Sequence, residues 1–208
     1  MYGSHPVILI ACAVAKELAF LAPQPHVEVL VTGVGSVEAA AQVSRALAMS
    51  RYDLVIDAGV AGALPGFAQI GDGVVVADEM LELDIEGGQA IALPDGATVH
   101  DRASSDLALT DRVVELGFRA LRGVTVSRVT ATDQTARRLA ALGAQVESME
   151  GFAVLRAAEI AGVTAIEVRG ISNRVGDRAD SRWDWQAGVA GLERILTALL
   201  TLVAPPRD

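Results

Sequence analysis

Four short segments hold the residues that chemistry would use. They are Ala13-Val14-Ala15-Lys16-Glu17, Gly59-Val60-Ala61-Gly62, Glu147-Ser148-Met149-Glu150-Gly151 and Arg169-Gly170-Ile171-Ser172-Asn173. A carboxylate such as Glu17 or Glu150 is a general base or a bidentate acceptor for paired hydroxyls. An amide such as Asn173 offers one donor and one acceptor side by side. Each also has a plain structural reading. Glu17 fits a solvated surface carboxylate, Glu150 an acid favoured at a helix N-terminus, Arg169 a salt-bridge partner, and Asn173 a turn residue. Ser181 and Asp184 have the spacing of a helix cap and its box partner, and Trp183 and Trp185 read as packing.

Other chemistry finds less support. Gly33-Val34-Gly35-Ser36 suggests a dinucleotide loop, but Glu38 stands where that fingerprint needs a third small residue. His5, His26 and His100 are scattered, with no cysteine or carboxylate at ligand spacing, so no metal site is expected. Neither a Gly-x-Ser-x-Gly elbow nor a P-loop occurs.

The elements that must position these segments alternate. Val7 to Ala13, Val27 to Thr32, Leu54 to Ala58, Gly71 to Met80, Val124 to Val129 and Thr164 to Val168 read as strands, nearly all apolar. Val14 to Leu21, Ser36 to Ser50, Ser104 to Gly117 with a serine cap, Gln134 to Leu142, Glu150 to Ala161 and Asp184 to Val203 read as helices. Asp84 to Asp101, rich in Gly, Pro and acidic residues, reads as a long loop. Strands without polar alternation are buried on both faces, which implies a three-layer α/β/α sandwich around a mixed, mainly parallel sheet. Ligands of such sheets sit beyond the carboxyl ends of the strands, where the chemical segments fall.

With 208 residues, 51% hydrophobic and 21% charged, the chain suits a single domain over 1–208, with residues 1–5 a loose leader. Lys+Arg 17 against Asp+Glu 26 gives a net charge of −9, and no basic stretch forms a nucleic-acid footprint. The apolar run Val189 to Val203 is interrupted by Glu193 and Arg194, so no membrane span is expected. One cysteine, Cys12, allows no internal disulfide, which favours a soluble protein of a reducing cytoplasm.

Taken together, the four segments, with Thr32-Gly33-Val34-Gly35 and Asp57-Ala58 ahead of Gly59, occur in the order found in nucleoside phosphorylases and nucleosidases. The chain resembles that superfamily almost end to end. Ser148-Met149-Glu150-Gly151 is the most recognisable element; Arg169 to Asn173, followed by Val175-Gly176-Asp177-Arg178 and Trp183-Asp184, is similar to the futalosine hydrolases. The resemblance implies a nucleoside phosphorylase-like fold and hydrolysis of an N-glycosidic bond without a cofactor. Futalosine would yield hypoxanthine and dehypoxanthine futalosine, a step of menaquinone biosynthesis. Met149 and Glu150 would hold the ribose, Glu17 would activate water, Arg169 would help position it, and Gly59, Val60, Ala61 and Gly62 would line the substrate site. Adenine-releasing relatives carry a hydroxyl residue in place of Val60 and an aspartate in place of Asn173. The family also implies a homodimer or larger homo-oligomer with a small-molecule nucleoside as partner.

An amide at 173 suits a 6-oxopurine, donating to O6 and accepting from N7–H, whereas adenine protonated at N7 presents two donors. Neutral Asn173 cannot supply the N7 proton, and Asp177 is a candidate by nearness in sequence. Two other readings stay open: a 5′-methylthioadenosine/S-adenosylhomocysteine nucleosidase, and a nucleoside-binding module without catalysis.

Overall fold

The computed structural model describes residues 6–82, 94–97, 99–177 and 182–203. In chain order the strands are β1 (Ile8–Cys12), β2 (Val27–Val31), β3 (Leu54–Ala63), β4 (Gly73–Leu81), β5 (Arg102–Ser104), β6 (Arg119–Thr125), β7 (Val146–Ser148) and β8 (Thr164–Arg174). The helices are α1 (Ser36–Met49), α2 (Leu107–Glu115), α3 (Asp133–Ala141), α4 (Gly151–Ala161) and α5 (Trp185–Val203).

Side chains alternate across β1, which explains its unbroken apolar run. Ile8, Ile10 and Cys12 join the cluster under α2 and α5, with Val113, Leu192, Ile195 and Leu199. Leu9 and Ala11 join the opposite cluster under α1 and α4, with Val43, Val154 and Ala158. The expected three layers and mixed sheet are observed, with five parallel and three antiparallel pairings among the described residues. The sequence did not suggest that the sheet also closes on itself. β3 pairs β7 and β8, β8 pairs β4, and β6 joins β4 to β7. All five strands of this ring contribute to one cluster inside it: Ala61, Ala63, Val74, Val76, Leu121, Val146 and Ile171.

Several boundaries differ from expectation. β3 and β8 run to Ala63 and Arg174, so two chemical segments are strand, not the loops that follow one. The expected helix after β1 is a single 3-10 turn, Ala15–Leu18. Ser104 belongs to a short edge strand, and α2 is capped instead by Asp106, whose Oδ1 accepts from the Leu109 N–H at 2.8 Å. β6 begins at Arg119 and ends at Thr125. Ser181, most of the acidic loop, and residues 1–5 lie outside the described residues. Asp184 itself caps α5, accepting from the Ala187 N–H at 2.9 Å, so it is not a box partner inside the helix.

By length and composition alone α5 would suffice to cross a membrane. Its apolar stripe is instead buried on the sheet. Contact is backbone to backbone: a Cβ on Gly170 would lie 1.9 Å from the Gly188 carbonyl oxygen, and one on Gly73 would lie 2.6 Å from that of Gly191. This close seating fixes the start of α5, and with it Trp183 and Trp185, beside the end of β8.

Candidate active site

A cavity of about 220 Å³ opens where the 3-10 turn, β3, β7, the start of α4 and β8 meet. Glu17, Val60, Ala61, Gly62, Met149, Glu150 and Asn173 all line it, so seven of the nine expected residues come together. Gly59 and Arg169 lie behind the lining.

Glu17 is 4% exposed and held by two backbone amides. Its Oε2 accepts from the Val14 N–H at 3.1 Å and its Oε1 from the Val60 N–H at 2.9 Å. Burial raises its pKa; the two amide hydrogen bonds and the Arg169 charge oppose that shift, and Glu150 adds to it. The plain reading as a solvated surface acid is therefore wrong for this side chain. A buried carboxylate with a raised pKa, fixed in a pocket, is chemically a proton acceptor.

Arg169 is 1% exposed and stands in the ion-pair role that its residue type alone suggested. Its Nε donates to Glu167 Oε1 at 2.7 Å and its Nη2 to Asp57 Oδ2. A Cβ on Gly59 would lie 2.5 Å from Arg169 Nη1 and 2.8 Å from Glu17 Oε1. Gly59 is thus the thin partition over which the buried guanidinium and the pocket carboxylate approach each other.

Glu150 precedes α4, yet its side chain does not cap that helix. It turns back, Oε1 accepting from the Gly35 N–H at 2.8 Å and Oε2 from the Met149 N–H at 3.3 Å. The glycine segment after β2 thereby anchors a carboxylate instead of a dinucleotide.

Asn173 faces the pocket because of an irregularity in β8. Ala61 pairs with Ile171 but Gly62 pairs with Asn173, so one extra residue, Ser172, is inserted. In a regular strand Asn173 would point the same way as Ile171, into the ring; the bulge re-aims it. The Ser172 hydroxyl donates to Asn173 Oδ1 at 2.9 Å, and Asn173 Nδ2 donates to the Arg174 carbonyl at 3.3 Å, which orients the amide.

Several lining residues were given no role from the sequence, although Val14, Glu147 and Ser148 lie in the segments that hold the chemistry. Trp183, 53% exposed, and Trp185 are walls of the cavity, not interior packing, because the seating of α5 brings them there. Glu147, Ser148, Val14, Val34 and Val129 also line it. Glu147 is 5% exposed; its Oε1 accepts from the Thr130 N–H at 3.0 Å, and its buried Oε2 has no hydrogen-bond partner among the described residues. Asp177 lines a different cavity with Asp133, Arg137 and Arg174, exchanging hydrogen bonds with Asp133 across the start of α3. It is not part of this site.

Residues 18–201 match the family model of the phosphorylase superfamily. A futalosine hydrolase of Acidothermus cellulolyticus is 38% identical, the match covering 92% of this chain and 89% of that protein. A second, of Thermus thermophilus, is 33% identical, over 82% and 80%. Among solved structures, the fold is similar to the 5′-methylthioadenosine/S-adenosylhomocysteine nucleosidase of Colwellia psychrerythraea in complex with adenine, with a TM-score of 0.81, 16% identity and 98% of each chain covered. It is also similar to the S-adenosylhomocysteine nucleosidase of Streptococcus pyogenes in complex with 5-methylthiotubericidin, with a TM-score of 0.80, 20% identity, and 99% and 100% covered. The chain therefore belongs to the phosphorylase superfamily and, within it, to the futalosine hydrolase family.

Proposed function

We propose that this enzyme hydrolyses the N-glycosidic bond of futalosine, releasing hypoxanthine and dehypoxanthine futalosine within menaquinone biosynthesis, with no cofactor. The observation that carries the reading is the pairing of a buried, amide-held Glu17 with the oriented amide of Asn173 in one cavity.

The bond to the base loosens first and positive charge develops on the ribose. Glu17 and Glu150 both line the pocket, and among the described lining residues there is no lysine or arginine, so the field favours that charge. The same lining gives a phosphate ion no cation to hold it, which supports water over phosphate as nucleophile. Glu17 takes the proton of the attacking water. Arg169, behind Gly59, is a positioning residue that holds Glu17 in register without reaching the reacting atoms. Glu150 accepts from the ribose hydroxyls beside Met149, while Gly59 to Gly62 form the surface on which the nucleoside lies. Asn173 donates to O6 and accepts from N7–H of the leaving hypoxanthine.

A second copy of the chain is the proposed partner. Val37 and Ile160 are 80% and 73% exposed on α1 and α4, flanking a largely apolar groove that includes Ala40, Phe152 and Ala157. Both helices start at the pocket, α1 after Gly35 and α4 after Glu150, so a copy seated there would border the substrate. The cytoplasm is the proposed compartment, where the lone, buried Cys12 stays a thiol.

Chromatography of the bases released in phosphate-free buffer tests the reaction. Hypoxanthine from futalosine, with no base from methylthioadenosine, is expected. Adenine from methylthioadenosine would replace the substrate assignment, and tight binding with no base released would replace catalysis by a binding role.

A further inference from the structure

Glu150 occupies the N-cap position of α4, from which a side-chain oxygen ordinarily accepts from the N–H of the second or third helical residue. A carboxylate is further favoured there by the positive end of the helix dipole. Glu150 nevertheless makes no such bond and points to Gly35 and Met149. Other groups fill the place. The Gly151 N–H donates to Ser148 Oγ at 3.2 Å, and the Phe152 N–H, second in the helix, donates to Thr125 Oγ1 at 2.8 Å.

Register brings the two hydroxyls together. Thr125 ends β6 and pairs with Ser148, which ends β7, so their side chains leave the sheet on one face, at the start of α4. Thr125 is fully buried, and its orientation is fixed from behind: its hydroxyl donates to Glu79 Oε1 at 2.6 Å. A hydroxyl has one proton and two lone pairs, so giving the proton to Glu79 leaves a lone pair for Phe152. Glu79 in turn has room only because position 123 is glycine, where a Cβ would lie 1.5 Å from Glu79 Oε2.

We infer that Thr125 is a positioning residue for the ribose anchor: by capping α4 in place of Glu150, it keeps the Glu150 carboxylate turned toward the sugar. This rests on the proposed contact between Glu150 and the ribose hydroxyls and goes beyond it to what holds that contact. Without Oγ1 the Phe152 N–H would be a buried donor with no acceptor, which is costly. The Glu150 carboxylate, two residues earlier, is the group placed to relieve it, and in doing so it would leave Gly35 and turn away from the cavity. Thr125 is not among the residues that line the cavity, so it acts through Glu150.

The variant that tests this is Thr125→Val, which keeps the shape and removes the hydroxyl. Values of kcat/KM are compared for futalosine and its 2′-deoxy counterpart, which lacks one of the hydroxyls that Glu150 accepts from. The preference for futalosine over the deoxy compound should fall by about 10-fold from its wild-type value, the size of one hydrogen bond to a charged group. Thr125→Ser, which returns the hydroxyl, should restore the preference. A loss of folded protein alone lowers both substrates alike and leaves their ratio unchanged. An unchanged ratio in Thr125→Val would therefore overturn the assignment, as would a serine variant no better than the valine one. Should Thr125→Val fail to fold, Thr125→Cys carries the same comparison, because sulfur is a weak acceptor. Its ratio should also fall, and a wild-type ratio would overturn the assignment. Should wild-type protein leave futalosine intact, the substrate reading fails, and the affinities of inosine and 2′-deoxyinosine, measured by calorimetry on the same proteins, decide Thr125 separately.

Discussion

The backbone N–H of Val60 donates to Glu17 Oε1 at 2.9 Å, joining a residue of β3 to the acid of the 3-10 turn after β1. Valine has no hydroxyl, so position 60 reaches Glu17 through its backbone alone. It also fixes which lone pairs of Glu17 remain for water.

Glu17→Gln should lower kcat by about 10²-fold to 10⁴-fold, with substrate affinity within a few-fold of wild type. The amide cannot accept a proton, and both carboxylate oxygens already face N–H donors, so the NH₂ group also mismatches one of them. A base must be ionised to act. Because burial raises the Glu17 pKa, kcat/KM of the wild-type enzyme should fall on the acid side at a pH above the ordinary glutamate range. A pH–rate profile whose acid limb lies at or below that range would contradict the assignment.

Gly59→Ala tests the partition between Arg169 and Glu17. The new Cβ would lie 2.5 Å and 2.8 Å from their polar atoms, so one of them must shift. A displacement on the order of 1 Å at a catalytic group costs about 10²-fold in rate. Steady-state kinetics should report a loss in kcat of that size, and the far-UV circular dichroism should be unchanged.

How far the site was legible depends on which side of the core its residues fall. β1, α1, α4 and α5 announce themselves by apolar runs or stripes because they serve the core. β3 and β8 could be followed only to Ala58 and Val168, where the apolar run ends. Beyond those points the strands stay buried, but only Ala61, Ala63 and Ile171 serve the cluster inside the ring while their neighbours form the cavity and the buried ion pairs, so glycine, arginine and asparagine interrupt the branched residues. β7 is three residues long, two of them polar, and has no periodicity to read. Sites are where local pattern and fold part company. Asp57 and Glu167 did leave a signal that was passed over: each is a single acid in an otherwise apolar strand, which in a buried sheet requires a partner, here Arg169. Trp183 and Trp185 read as packing, because only the seating of α5 puts them at the pocket.

Arg169→Met should destabilise the fold by about 3–5 kcal/mol, because it removes the shared partner of two buried carboxylates. Urea denaturation measures the loss. Adding Asp57→Asn and Glu167→Gln to Arg169→Met should recover a substantial part of it, since neutral amides leave no buried charge unpaired. No recovery would mean that packing, and not the charge, sets the stability.

Val37→Glu and Ile160→Glu should each shift a dimer toward monomer in sedimentation, with the monomer's denaturation midpoint little changed, because both side chains are largely exposed in the single chain. Identical sedimentation of wild type and variants would place the contact elsewhere.

Asn173→Asp should move specificity toward 6-aminopurines. The replacement keeps size and shape, and the Ser172 hydroxyl still has an oxygen to donate to. What changes is the edge offered to the base: two acceptors in place of a donor and an acceptor, which suits the amino group and N7–H of a departing adenine and repels O6 of hypoxanthine. The ratio of kcat/KM for futalosine to that for its 6-amino counterpart should fall by at least about 10-fold, the size of one mismatched buried hydrogen bond. An unchanged ratio would place the contact to the base edge at another residue of the cavity.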